Sequence, residues 1–306
     1  MAGDAPLSVF WRGQDRDHQL TLYRKGEGGD ELVSPFVKVP GVVPQPFYTI
    51  DDLLGSGPPF LIAHRCGGGD WPEFSTAGIN GSISRGYIAL ELSVYECATG
   101  EFVCSHDWTT QRMTGVNYQI RSTSWATLST LTSTAAGTSD PSQPGQPLLR
   151  LEDVLALAPD AVWFLDHKET SARENPDQWR LDSEARLLDW VEANVPYATD
   201  RVVWKVFAQG YGSRERAAAR GFQSWGIYYE DDLADPSLAE HLDEYELLGM
   251  EWPASQSAWN TVLAEGVPVV GHIIGTTGQA SGALSKGASG LMCSIPKSIN
   301  PKGQQG

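Results

Sequence analysis

Two places along this chain combine an imidazole with a charged neighbour. His64 is followed by Arg65, and His106 is followed by Asp107. An imidazole takes up and releases a proton near neutral pH, so two of them can share the work of acid and base. A guanidinium group presents a planar fork of donors that suits anionic oxygen atoms. These residue types together indicate proton transfer at an anionic group.

Other polar and titratable residues recur at the ends of short apolar stretches. Glu91 and Ser93 lie in the second such stretch, and Asp166 and Lys168 close the third. Later stretches end in Lys205, Glu230, Glu251 and His272. A single residue of this kind is more often a solvated or structural polar group than a functional one. Here polar residues end nearly every stretch while the middles of the stretches are apolar. An active site formed at the ends of several strands requires this pattern.

The apolar stretches alternate with helical patterns from residue 60 onward. Predicted strands cover residues 60–65, 87–95, 161–168, 201–207, 224–230, 247–251, 268–274 and 290–296, and a strand at 102–107 pairs with the second as a hairpin. Predicted helices cover residues 76–85, 151–158, 182–195, 213–221, 236–245, 255–266 and 278–287. Eight apolar strands alternating with helices predict an α/β fold, a closed (β/α)8 TIM-type barrel with its active site at the C-terminal ends of the strands. A doubly wound open sheet is the alternative, but no glycine-rich nucleotide fingerprint follows a strand.

The barrel prediction assigns residues 51–306 to one domain with a small β-hairpin insertion after its second strand. Residues 1–50 mix short apolar pieces with Gly and Pro, so we interpret them as an N-terminal extension or arm. Contacts with another copy, or within a larger assembly, would fall on this extension. Residues 127–147 are rich in Ser, Thr, Gly and Pro and are predicted to form a long loop.

Composition excludes several classes of partner. The net charge of −16 opposes binding to nucleic acid and to an anionic membrane. No stretch approaches the roughly 18 apolar residues of a membrane span, and no basic segment followed by an apolar run begins the chain. We therefore expect a cytoplasmic location or export by a non-secretory route such as assembly into a virion.

The four cysteines contain no C-x-x-C pair, so a structural zinc site is not expected. Cys97 and Cys104 flank the predicted hairpin and could face each other across it. Reduced thiols, packed as small apolar groups, are the favoured interpretation.

Two long segments resemble the opening of the glycerophosphodiester phosphodiesterase family. The first is IAHRCGGGDWPEFS and the second is ALELSVYECATGEFVCSHDWTTQRMTG. The family pattern there is HRG, Pro-Glu-Asn, E-x-D on the second strand, and HD before a Thr-rich segment that contains Arg. FLDHK is similar to the later E-x-K of the family, and GASGLMCSIP to its closing segment. The resemblance covers about residues 52 to 300, and the E-x-S version is similar to members carried by tail proteins of actinobacterial phages.

The resemblance implies a TIM barrel that hydrolyses glycerophosphodiesters, or an envelope polymer with the same linkage such as a teichoic acid. It assigns His64 and His106 as general acid and base, with Arg65 holding phosphate oxygens. Lys168 would neutralise charge on the phosphoryl group. An ion pair from Arg65 to Glu73 or Asp70 is the structural alternative for that arginine.

The resemblance also implies one divalent cation, Ca²⁺ or Mg²⁺, bound by oxygen ligands. Glu91 and Asp166 match two carboxylate ligands, and Ser93 stands where the family has Asp. Three outcomes are open: Glu230 or Glu251 completes the site, the cation binds weakly through the two carboxylates and water, or the metal and the activity are lost. In the last case the barrel would be a structural or envelope-binding module of a phage tail.

Four further residues are expected near the site, where they would contact substrate or support the residues that do. They are Glu73, Lys205, Glu230 and Trp252. Trp71, Trp108 and Trp125 could line the mouth of the pocket together with Trp252.

Overall fold

The computed structural model describes Leu7–Phe10, Leu20–Gly26, Gly29–Val37, 47–135 and 137–301. The chain divides into two compact units, Met1–Pro46 and Phe47–Gly306. In the first unit, strands β1 (Leu7–Phe10), β2 (Leu20–Gly26) and β3 (Gly29–Val37) form an antiparallel sheet in the order β1-β2-β3.

The second unit contains the predicted barrel, which is confirmed. Its strands are β4 (Phe60–Ala63), β5 (Ala89–Glu96), β6 (Phe102–Cys104), β7 (Thr132–Ser133), β8 (Gln146–Pro147), β9 (Val162–His167), β10 (Val202–Phe207), β11 (Gln223–Tyr228), β12 (Leu247–Glu251), β13 (Val269–Ile274) and β14 (Gly290–Cys293). Eight of them pair in parallel in the order β4-β5-β9-β10-β11-β12-β13-β14, and β14 pairs again with β4. The ring is therefore closed, which excludes the open sheet.

Helices precede or connect the strands of the second unit. They are α1 (Ile50–Gly55), α2 (Thr76–Ser84), α3 (Gln111–Thr114), α4 (Trp125–Leu128), α5 (Leu151–Leu157), α6 (Gln178–Asn194), α7 (Ala198–Arg201), α8 (Tyr211–Ala218), α9 (Pro236–Ala239), α10 (Gln256–Leu263) and α11 (Thr277–Ser285). None of the helices in the described part of the chain is long and apolar enough to cross a membrane.

Alternate residues of each strand point into the barrel, because side chains of a strand alternate between its two faces. A buried cluster inside the ring draws at least one residue from every barrel strand, including Ala89 of β5, Val162 of β9 and Val203 of β10. Leu90 and Leu92 of β5 belong instead to the larger cluster between strands and helices. The same alternation carries later residues of β5, β9 and β10 toward the barrel axis at the C-terminal end.

Helix α1 closes the N-terminal end of the barrel. Its side chains Ile50 and Leu53 are 1% exposed and belong to the interior cluster. Thr49 caps the helix, since its hydroxyl accepts from the Asp52 N–H while the Asp52 carboxylate accepts from the Thr49 N–H. An apolar floor under the barrel leaves polar groups to gather at the opposite end.

Strand β6 runs antiparallel to β5, as predicted for the hairpin. Val94 pairs with Cys104 and Glu96 with Phe102. The Ser105 N–H then donates to the Ser93 carbonyl oxygen at 2.9 Å. The hairpin thus returns the chain to the level of the inward-facing residues near the C-terminal end of β5.

Three expectations need correction or refinement. The helix predicted over 236–245 is limited to α9 and a 3₁₀ turn at Leu242–Glu244, and the predicted loop at 127–147 contains the end of α4 and the paired strands β7 and β8. Cys97 does not face Cys104, because its N–H donates to the Glu101 carbonyl oxygen and the register places Cys104 opposite Val94. All four cysteines are free and buried.

We expect Leu53→Ala to lower the free energy of unfolding by about 2–5 kcal/mol, because it leaves a cavity in the barrel floor. Leu284→Ala is the matched control, since Leu284 is 37% exposed, and it should change stability by less than about 0.5 kcal/mol. Urea denaturation monitored by circular dichroism measures both. Equal effects of the two substitutions would contradict the assigned role of α1.

Candidate active site

Two carboxylates and two ammonium groups form a buried cluster at the C-terminal end of the barrel. The Nζ atom of Lys205 lies 2.6 Å from Oε1 of Glu91 and 3.4 Å from Oδ2 of Asp166. The Nζ atom of Lys168 lies 2.6 Å from the same Asp166 oxygen. All four side chains are at most 9% exposed. Opposite charges therefore meet at short range in a site with little water.

The two carboxylates and Lys205 stay charged because opposite charges in the cluster stabilise one another, whereas burial lowers the pKa of Lys168. Burial alone would raise the pKa of the Glu91 carboxyl group, but Lys205, His64 and Lys168 outweigh burial and hold that pKa below its ordinary value. Burial alone would lower the pKa of Lys205, but Glu91 and Asp166 raise it above its ordinary value. Charged carboxylates and a charged Lys205 ammonium group are therefore the stable forms at neutral pH.

Ser93 lies between the two carboxylates. Its register partner across the β5–β9 pairing is Asp166. The Ser93 hydroxyl is 3.3 Å from Oε1 of Glu91 and 3.3 Å from Oδ2 of Asp166. These are the same two oxygen atoms that contact Lys205. The structure thus brings the three residues expected as metal ligands together, with an ammonium group against them.

The turn after β4 carries His64 and Arg65 into the site. Arg65 adopts φ 48° and Cys66 φ 59°, a left-handed conformation that residues other than glycine seldom adopt. This backbone conformation directs the Arg65 N–H to Oε2 of Glu91, which accepts at 2.7 Å. Gly69 lies against the segment after β14, where a Cβ atom would be 2.7 Å from the Ser294 carbonyl oxygen. That close approach holds Ser294 beside His64, whose Nδ1 is 2.7 Å from the Ser294 hydroxyl oxygen.

His106 reaches the site from the hairpin. Its Nδ1 lies 2.8 Å from Oδ1 of Asp107. Because a carboxylate can only accept, Nδ1 carries the proton and the neutral ring leaves Nε2 as a proton acceptor. Burial, with the positive charges of Lys168 and Arg65, lowers the pKa of His106. Burial also lowers the pKa of His64 well below its ordinary value.

A chain of ion pairs joins the two histidine-bearing segments. Arg65 donates to Oε1 of Glu73 at 2.6 Å. Arg112 donates to the two Glu73 oxygens at 2.8 and 2.9 Å and, through Nε, to Asp107. The chain therefore runs from the residue after His64 to the residue after His106. Glu73 is thus the ion-pair partner of Arg65, and Asp70 does not pair with that guanidinium.

Four predicted residues lie outside this cluster. Glu230 is exposed and its carboxylate accepts from the Ser255 N–H, while Glu251 accepts from the Glu230 N–H. Neither carboxylate completes a ligand set with Glu91 and Asp166. Trp252 is half-buried, and its carbonyl oxygen accepts from Lys286. His272 is buried, with Nε2 3.2 Å from the Tyr228 carbonyl oxygen.

The four tryptophans expected at the mouth of the pocket do not lie together. Trp71 is buried under Arg85 and Lys297, and Trp125 packs on the core under Arg150. Trp108 is 59% exposed and lies two residues after His106. Of the four, Trp108 therefore offers its ring to solvent beside a candidate catalytic residue.

Three polar residues of the site carried no distinctive sequence signal. Ser294 contacts His64, Arg112 contacts Glu73 and Asp107, and the Ser171 hydroxyl donates to Oδ1 of Asp166. Ser294 lies in the closing segment GASGLMCSIP, and Arg112 lies in the Thr-rich segment after His106. A single serine or arginine in a loop is common, so spacing could not identify these contacts.

As they stand, the side chains do not fit a divalent cation. Each of the four oxygen atoms of Glu91 and Asp166 already accepts from Lys205, Lys168, the Arg65 N–H or a serine hydroxyl. Calcium and magnesium need six or more oxygen ligands. Within the described ranges, no group of three or more His, Cys, Asp or Glu side chains is arranged to hold a metal ion.

We expect Glu73→Gln to lower the free energy of unfolding by about 1–3 kcal/mol at neutral pH, because Arg65 loses its anionic partner and Arg112 loses one of two. The pKa of Glu73 is lowered in the fold because Arg112 and Arg65 outweigh burial. Its ion pairs therefore stabilise the protein above the pKa of the unfolded chain and stop doing so as the pH falls through the lower folded value.

The stability difference between wild type and Glu73→Gln should accordingly narrow below about pH 4. Urea denaturation across this range measures it, with Glu174→Gln at an exposed site as control. A difference that stays constant at acid pH would contradict the ion-pair assignment.

Comparison with known proteins places this chain in a family. A model of the glycerophosphoryl diester phosphodiesterase family matches residues 64–246. No curated protein sequence matches the chain. A phosphodiesterase from Oleispira antarctica, solved in complex with the product sn-glycerol-3-phosphate, is 18% identical with a TM-score of 0.65 over 80% of this chain and 96% of that one.

Two further solved structures have the same fold. A glycerophosphodiester phosphodiesterase from Thermotoga maritima is 14% identical with a TM-score of 0.61, over 78% of this chain and 96% of its own. One from Agrobacterium tumefaciens is 18% identical with a TM-score of 0.58, over 77% and 96%. At these identities the structures show a shared fold, and the family match covers more than half of the sequence. The chain belongs to the glycerophosphoryl diester phosphodiesterase family.

Proposed function

We propose that this protein hydrolyses phosphodiesters of the glycerophosphodiester type, with His64 and His106 as its acid–base pair. One observation carries the proposal: each imidazole is held through Nδ1, by Ser294 in one case and by Asp107 in the other. In each ring, Nε2 remains for chemistry. Membership of the family supports the reaction class.

The proposed reaction needs two proton transfers. A hydroxyl oxygen attacks phosphorus and loses its proton, while the phosphorus–oxygen bond to the alcohol breaks and that oxygen gains a proton. His106 suits the base, because Asp107 leaves Nε2 as an acceptor and stabilises the imidazolium that forms. His64 then suits the acid. A bound phosphodiester anion would favour the protonated form of His64, which burial alone disfavours.

Positive groups would hold the phosphate between the two rings. The Nε atom of Arg65 is buried and has no protein partner among the described residues, while its Nη1 is fixed by Glu73. A phosphate oxygen could accept from that Nε. Lys168 is 9% exposed and lies at the edge of the charge cluster, where it would neutralise charge on the reacting group.

A small polar cavity lies next to this position. It has a volume of about 150 Å³ and is lined by Gly68, Glu73, Arg112, Met113, Ser133, Thr134, Gly137 and Thr138. Hydroxyl groups of a glycerol moiety would find hydrogen-bonding partners there. The neighbour with bound sn-glycerol-3-phosphate supports a substrate of this class. An envelope polymer of the teichoic acid type would present the same linkage.

The proposed base and acid are tested by His64→Gln and His106→Gln, with glycerophosphocholine and a glycerol phosphate polymer as substrates. Each change should lower kcat/KM by about 10²–10⁴-fold. His241→Gln is the matched control, because His241 stacks on Tyr211 at a different place. Release of glycerol phosphate is the measurement.

A wild-type protein that binds the polymer without releasing product would contradict catalysis. It would favour the alternative of a structural or envelope-binding module, to which the segment of residues 1–50 would be suited as an arm.

The acid–base pair also predicts a pH profile. The pKa values of both rings are lowered, chiefly by burial, so kcat/KM should be greatest on the acid side of pH 6.5, the ordinary histidine value. Asp107 raises the pKa of His106, so Asp107→Asn should move the acid limb to still lower pH. An acid limb above pH 7, or one that Asp107→Asn leaves in place, would contradict the role of His106.

A further inference from the structure

The charge cluster contains a cation that the protein itself supplies. The side chain of Lys205 is 4% exposed, and its Nζ lies 2.6 Å from Oε1 of Glu91 and 3.4 Å from Oδ2 of Asp166. Ser93 contacts the same two oxygen atoms. A metal ion bound by those atoms would have to lie where the ammonium group lies, because its distances to oxygen would be of the same size.

The charges of the site leave no net negative charge for a metal ion to neutralise. Glu91 and Asp166 contribute two negative charges, and Lys168 and Lys205 contribute two positive ones. Two more positive charges would be uncompensated in a buried position, which is strongly unfavourable. A carboxylate at position 93 would restore a negative charge, but the residue there is a neutral serine.

We propose that the ammonium group of Lys205 is the resident cation of this site, in place of a divalent metal, and that Ser93 is the residue that makes this substitution electrostatically balanced. The proposal has two consequences. The site does not bind Ca²⁺ or Mg²⁺ through Glu91 and Asp166. The proposed phosphodiesterase activity continues in the presence of chelator, and this second consequence rests on the proposed function.

Lys205 therefore acts as a positioning residue. It fixes the Glu91 carboxylate, whose other oxygen accepts from the Arg65 N–H. That bond sets the direction of the turn that carries His64. Removal of the ammonium group would leave two carboxylates with one partner fewer and a vacant position between them.

Metal binding provides the direct test. Metal-free wild type is titrated with Ca²⁺ and with Mg²⁺ by calorimetry and by thermal unfolding, and no binding at this site is expected. The double variant Ser93→Asp/Lys205→Ala carries three carboxylates and no Lys205 ammonium. It should bind one ion at least about tenfold more tightly than wild type and be stabilised by it.

The matched control is Ser93→Asn/Lys205→Ala, which has nearly the same shape as the first variant but one carboxylate fewer. It should not gain that affinity. Circular dichroism establishes whether the variants fold. If they do not, the wild-type titration still decides: one equivalent of metal bound by wild type and lost in Glu91→Gln would overturn the proposal.

Activity separates this proposal from the proposed function. Release of glycerol phosphate that is unchanged by chelator supports both. Release that chelator abolishes and Ca²⁺ or Mg²⁺ restores would overturn the role of Lys205 while leaving the phosphodiesterase assignment intact. If wild type has no activity under any condition, the assignment of function fails, and the metal titrations still confirm or overturn the resident cation.

Discussion

The register between β5 and β9 is the constraint on which the candidate site depends. It places Ser93 opposite Asp166 and Glu91 opposite Phe164, with the polar residues of both strands pointing to the barrel axis. A shift of one residue along β5 would turn Glu91 and Ser93 toward the helices and bring leucines inside. Closure of the ring fixes this register, because each strand is held by neighbours on both sides.

The site is electrically balanced although the chain as a whole carries −16. Its cations are Arg65, Arg112, Lys168 and Lys205, and its anions are Glu73, Glu91, Asp107 and Asp166. In the proposed reaction, a phosphodiester anion that enters this neutral set would be matched by the proton taken up on one imidazole. The acidity of the surface is therefore compatible with an anionic substrate, because the nearest charges govern binding in a buried site.

The sequence predicted the barrel well because its strands are continuous apolar runs that are buried on both faces. The prediction of one helix over 236–245 was wrong beyond α9, although the sequence there has a helical pattern. Tyr245 turns inward against Gly226, whose missing side chain leaves room for the ring. In the site, the strand-end residues were predictable because strand direction places them together. The ion-pair partner of each charged residue was not predictable. Nothing in the sequence around Lys205 shows that it contacts Glu91, which lies two strands away in the ring.

The hairpin that carries His106 has a consequence for how this family member can diversify. The charge cluster belongs to the closed ring, whereas His106, Asp107 and Arg112 follow β6, which lies outside the ring order and pairs with β5. Changes in the segment that follows β6 can therefore move the proposed base relative to the phosphate position without changing the strand order of the ring, whereas Phe102 and Cys104 of β6 belong to the core. The barrel and the hairpin are in this sense two parts with separate tasks, one that holds the charge cluster and one that positions the proposed base.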